Sequence, residues 1–162
     1  MKNLRRRLPI TLLMLGFSWT TYKGIEKLIW PGRSADYILM NDSGHAWLFF
    51  VISVIVIVLN GCALWAYTRL KRSAVKFGLI AVGTSLIQNT ISYIWTLANH
   101  ETAKEAYIVS RVARGLPIHE DVTASVLSPT GLLIAFVVSL MIPLAGAAII
   151  LATRNYIERM QD

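Results

Sequence analysis

AWLFFVISVIVIVLNGCALWAYT, residues 46–68, decides the architecture. It lies within 26 consecutive residues, 43 to 68, that carry no formal charge. Wound as a helix, these 23 positions reach about 35 Å, enough to cross a hydrocarbon core of about 30 Å with some tilt. Two further windows read the same way. Residues 77–100 give 24 uncharged positions and residues 122–153 give 32. Spans over 77–98 and 129–152 are therefore expected, since one charge at the centre of a span costs about 2.5–3.5 kcal/mol on insertion scales.

The first apolar stretch is shorter. Only 15 uncharged residues, 8 to 22, separate Arg7 from Lys23. A charged start and a short apolar run also describe a secretory signal, but Ser18-Trp19-Thr20-Thr21-Tyr22 makes a poor cleavage site. The expectation is one helix over about 8–30, with Tyr22, Ile25 and Ile29 on one face and Lys23 and Lys27 snorkelling to the interface.

Composition agrees. Of 162 residues, 55% are hydrophobic and 15% charged, against roughly 25% charged in soluble domains. Mean hydropathy is +0.54. A soluble core of this size could not hide so much apolar surface, and disordered chains are polar. Cys62 is the single cysteine, so no intrachain disulfide is possible.

Four spans put both termini on one side, and the cations choose which. Lys2, Arg5, Arg6, Arg7, Arg69, Lys71, Arg72, Lys76, Arg154 and Arg159 are ten of the sixteen Lys and Arg residues, opposed there only by Glu158 and Asp162. The other side holds six cations and seven carboxylates. Positive-inside asymmetry places both termini in the cytoplasm of a bacterial-type inner membrane. It also accounts for the pI of 9.9 as a topology and lipid-headgroup signal, without nucleic acid. The fold expected is an all-α integral membrane protein: four transmembrane helices in an antiparallel bundle, with a cytoplasmic loop over 69–76 and a tail over 153–162.

Both exterior loops read as folded. In the first, 31–45, Pro31-Gly32 and Asn41-Asp42-Ser43-Gly44 are turn signals, and Ser34 can cap a short helix over Ala35 to Met40. Its Tyr37, Ile38, Leu39 and Met40 are too apolar for a solvated loop, so they lie on the bilayer or against other loops. In the second, 99–128, Asn99 can cap a helix over about 101–114. Glu101 and Glu105 stand near its positive end, Arg111 and Arg114 near its negative end, and Gly115 with Pro117 is the stop. Ala103, Tyr107 and Val112 are its expected buried stripe. Ser128-Pro129 reads as N-cap and first-turn proline of the last span.

Polar residues in the spans need protein or water partners. Gly78, Ala81, Ser85, Gln88, Ser92, Trp95 and Asn99 form a small or polar stripe, and Ser53, Asn60 and Tyr67 lie seven apart, nearly one line. Pro143 frees the carbonyl of Ser139 and should bend its helix. Asn60, Gln88 and Asn89 are the most polar groups at depth. With Ser53, Ser85 and Ser92 they read either as interhelical glue, worth about 0.6 kcal/mol per bond on average, or as the lining of a substrate path.

Sites for chemistry are scarce. No ionisable residue lies well inside any predicted span, which disfavours proton-coupled transporters and pumps. No GxSxG, Walker A, HExxH or GxGxxG pattern occurs. His45, His100 and His119 all fall on the exterior side. His45 and His100 stand at similar distances from the cytoplasmic turn, so an antiparallel hairpin would bring them level. They could ligate haem or, with His119 and Glu120 or Asp121, a metal ion; each is otherwise an ordinary interfacial residue. Three readings of function follow. The first is a non-enzymatic membrane protein acting through association, as accessory subunit, sensor or immunity-type protein, partnered by its own copies or another membrane protein. The second is an oligomeric channel or small-solute carrier lined by the polar faces, and the third a redox or metal protein using the histidines.

Overall fold

The computed structural model describes residues 2–159, with the side chains of residues 8–119, 121–155 and 157. The cations Lys2, Arg5, Arg6, Arg7 and Arg159 and the carboxylates Glu120, Glu158 and Asp162 lie outside the described side chains. The described chain is all helix: α1 Lys2–Ile29, a 3-10 turn Pro31–Arg33, α2 Ala35–Asp42, α3 Ala46–Thr68, α4 Ser73–Ala98, α5 His100–Ala113, α6 Glu120–Val126 and α7 Pro129–Arg159. Three of these, α3, α4 and α7, are long and apolar enough to cross a membrane, with mean hydropathy of 2.6, 1.2 and 2.6 over their best stretches.

The α3 limits coincide with the sequence reading. The others overrun it in one direction: α4 begins at Ser73 rather than 77, and α7 continues past 152 to Arg159. A charge ends a membrane window but not a helix, so Lys76 and Arg154 sit inside helical turns. Helix α6 has no counterpart in the sequence reading; seven residues are too few to show a hydrophobic period.

Helices α1, α3, α4 and α7 pack in a ring in that order, and α7 touches α1 to close it. The main core lies toward the end where α3 turns into α4. There Ile10, Leu13 and Phe17 of α1 meet Ala63, Ala66 and Tyr67 of α3, Ala74, Ala81 and Val82 of α4, and Ile150 and Ile157 of α7. Arg69, Lys71, Arg72 and Lys76 gather at this basic end, with the Lys71 ammonium 3.6 Å above the Trp65 ring.

The opposite end is capped by α2 and α5. Leu39 and Met40 of α2 are buried, and Leu39 clusters with Ala103 and Ala106 of α5. Tyr37 stands edge-on to Phe49 and Phe50 of α3. Of the two expectations for this apolar loop, packing against neighbouring elements is the one observed. The buried stripe of α5 is Ala103, Ala106 and Ser110, and Val112 is 60% exposed. Small residues face α2 because two short helices must approach closely, which turns the larger Val112 outward.

Three helix ends share one device. At α2, α3 and α5 the residue after the cap adopts positive φ: Gly44 at 74°, Leu70 at 47° and Gly115 at 68°. The next amide then bonds back five residues, from His45 to Met40, Lys71 to Ala66 and Leu116 to Arg111. This Schellman geometry satisfies carbonyls that the helix leaves open. Leu70 is the costly case, because a Cβ disfavours that conformation by about 1–2 kcal/mol.

Two caps differ from expectation. Ser34 and Asn99 occupy N-cap positions without a side-chain cap bond. The Asn99 amide instead donates 3.0 Å to the Trp95 carbonyl at the end of α4. Ser128 behaves as expected, accepting the Gly131 amide at 3.0 Å ahead of Pro129.

Candidate functional site

The line Ser53, Asn60 and Tyr67 is the buried face of α3, each residue no more than 3% exposed. Asn60 donates 2.8 Å to Val56 O of its own helix, and Ser85 donates 3.0 Å to Ala81 O likewise. These two satisfy themselves locally. Asn89 acts between helices: its Nδ2 donates 3.0 Å to the Ser139 carbonyl of α7. Pro143 lacks the amide that would otherwise bond this carbonyl. An amide on α4 therefore fills the vacancy that a proline on α7 creates.

The register of α1 follows from two contacts. Phe17 stacks on Tyr67 with ring centroids 5.7 Å apart. Gly24 lies so close to Ile57 that a Cβ built on it would come within 2.5 Å of Cγ1. Running α1 antiparallel to α3 between these points places Lys23, Glu26 and Lys27 level with residues 54–58, beside the midpoint of α3. Ile29 ends level with Ile52, about 9 Å short of the start of α3 at the helical rise. Lys23 and Lys27 both have carboxylate partners close by. Lys23 pairs with Glu26 at 2.6 Å and Lys27 with Asp36 at 3.1 Å. Helix α1 is thus displaced along the bundle, with its charged half beside the middle of α3, while the three helices apolar enough to span keep their central turns free of charged residues.

Asp36 completes the site. Helix α2 turns its carboxylate down between α3 and α4, where Oδ1 accepts 2.6 Å from the Ser92 hydroxyl while Oδ2 faces Lys27. Below it is a cavity of about 20 Å³ lined by Asp36, Met40, Phe49, Ser53, Gln88 and Ser92, among others. That volume suits one water or an ion of similar size. Ser53 is 3% exposed, and among the described residues neither its hydroxyl nor the Gln88 carboxamide has a hydrogen-bond partner. Ser53, Gln88 and Ser92 are thus brought together around a carboxylate that the sequence reading did not single out. A lone aspartate ahead of the apolar run Tyr37-Ile38-Leu39-Met40 was the available signal.

Ser92 also borders a second, wider groove of about 210 Å³ between α4 and α7, lined by Asn89, Tyr93, Thr96, Leu132, Ala135, Phe136 and Ser139. The Tyr93 and Phe136 rings stack at 4.2 Å across it. Below it the helices close, with Val82 against Gly146 and Ile150 against Gly78.

The histidines are held separately. His45 Nδ1 lies 2.6 Å from Ser43 O and its ring is edge-on to Trp95 at 5.2 Å. His100 Nε2 lies 2.6 Å from Leu127 O, tying α5 to the turn before α7. Each nitrogen facing a carbonyl must carry its proton there. His119 is the exposed residue ahead of α6. Among the described residues no three His, Cys, Asp or Glu side chains group to hold a metal ion. Beside His100, the Lys104 ammonium hydrogen-bonded 3.0 Å from Glu101 holds that exposed carboxyl below the usual range. Compared with protein-family models, curated proteins and solved structures, the chain matches none.

Proposed function

We propose that this chain is a small polytopic membrane protein that works without catalysis, as an accessory subunit associating with another integral membrane chain or with its own copies. In this reading four helices lie in the bilayer. The basic end faces the cytoplasm, as in a bacterial inner membrane, so both termini are cytoplasmic. The observation that carries the reading is the charged face of α1. Lys23, Glu26 and Lys27 stand beside the middle of α3, with side chains 45%, 30% and 37% exposed. Ion pairs tolerate membrane depth only when covered by protein or water, and more than a third of that cover is missing from a single chain. A neighbouring polypeptide over α1 supplies it.

Extraction from native membranes in lipid discs without detergent tests this. The chain is expected in an assembly larger than its own 18.1 kDa. Replacing Lys23 and Glu26 together by leucine removes the more exposed of the two ion pairs and should shift the chain toward a folded single copy. A particle holding one copy and no other polypeptide, from unmodified membranes, refutes the association reading.

A further inference from the structure

We propose that the cavity under Asp36 is a binding site for one sodium ion, and that the Lys27 ammonium is a tethered substitute for it. The site stands independently of the association reading.

The donors are hard oxygens from three elements. Asp36 comes from α2, Ser53 from α3, and Ser92 with Gln88 from α4. Carboxylate, hydroxyl and amide oxygens are the ligands that alkali and alkaline-earth cations select, and beside them the lining holds the Met40 thioether and apolar side chains but no histidine or cysteine. The cavity is too small for a hydrated ion and large enough for a bare one. Ser53 shows that the cavity can take an occupant: it is buried at 3% exposure, borders the cavity and has no hydrogen-bond partner among the described residues, while the half-buried Gln88 lines the same space. A cation in the cavity gives the Ser53 oxygen lone pair the partner that the empty site lacks.

Lys27 explains how the site is regulated by charge. Its ammonium is 3.1 Å from Asp36 Oδ2 and neutralises the carboxylate from the α1 side. A sodium ion does the same from the cavity side. Both together would leave one net positive charge at depth, so the two cations exclude each other. At 37% exposure the lysine has room to withdraw. Ser92 keeps donating to Oδ1 in either state and offers its lone pair to the ion.

Thermal unfolding of the detergent-solubilised full chain, in NaCl against choline chloride at equal ionic strength, reads the competition. In Lys27→Met the substitute is gone, and the midpoint should rise by about 3–6 °C once sodium is roughly tenfold above its dissociation constant. The wild-type rise should be smaller. Asp36→Asn in the Lys27→Met background should abolish it. Ser53→Ala, which leaves the Lys27–Asp36 pair intact, should reduce the wild-type response, and this arm holds even where Lys27→Met does not fold. An equal rise in choline chloride, a sodium rise that survives Asp36→Asn, or identical sodium responses in wild type and Ser53→Ala each overturn the site.

Discussion

Replacing Asn89 by leucine tests the best-defined polar contact in the bundle. The substitution keeps roughly the side-chain volume, suits a lipid surroundings, and removes only the amide that donates to Ser139 O at 3.0 Å. Helix-to-helix hydrogen bonds in membranes contribute about 0.6 kcal/mol on average and up to about 1.7. This one belongs at the upper end, because its acceptor has lost the intrahelical donor that Pro143 cannot supply. Leaving this part-buried carbonyl bare adds part of the roughly 1–3 kcal/mol desolvation penalty of a fully buried one. Asn89→Leu should therefore destabilise the wild-type background by about 2 kcal/mol. In Pro143→Ala, the new amide at 143 closes the ordinary turn onto Ser139 O, and the same Asn89→Leu should then cost less than about 0.6 kcal/mol. The coupling energy, above about 1 kcal/mol, is read from reversible SDS unfolding of the four proteins in mixed micelles by far-UV circular dichroism. Equal costs in the two backgrounds would show that the Asn89 amide does not serve the proline vacancy.

Gly24→Ala should destabilise the α1–α3 contact by about 1–3 kcal/mol through overpacking, because its Cβ would meet Ile57 Cγ1 at 2.5 Å. Ile57→Ala should recover most of that loss, and a Gly24→Ala midpoint at the wild-type value contradicts the register assigned to α1. Arg111→Ala removes Nε and Nη2 from Pro117 O, at 3.0 and 2.8 Å. The loop between α5 and α6 should then exchange its amides roughly fivefold faster, matching about 1 kcal/mol for an exposed charged bond. Unchanged exchange over residues 114–119 would show that the guanidinium does not hold the loop.

The three apolar helices were legible because a window without charge is a direct statement about solvent. The buried line of Ser53, Asn60 and Tyr67 and the open Ser139 carbonyl were legible too, since both follow from periodicity and the chemistry of proline within one helix. What was not legible required register between helices. Asn89 was recognised as polar, but its partner on α7 lies 50 positions away. Asp36 and Lys27 are nine residues apart across a turn, and only the axial displacement of α1 brings their pair to the level of Ser92. The face of α5 was misjudged at Val112 because hydrophobicity ranks large residues first, whereas close approach to α2 selects small ones.

The offset of α1 bears on how the chain enters a bilayer. Fifteen uncharged residues followed by Lys23, Glu26 and Lys27 make a segment that a translocon scanning one helix at a time would retain poorly. Its charged half becomes acceptable only when α2 supplies Asp36 and α3 supplies the groove that takes Gly24. With α1 as the fourth span proposed above, topogenesis would be a cooperative event in which later segments draw the first one into place, and nascent chains arrested before residue 68 should leave α1 accessible to alkali extraction.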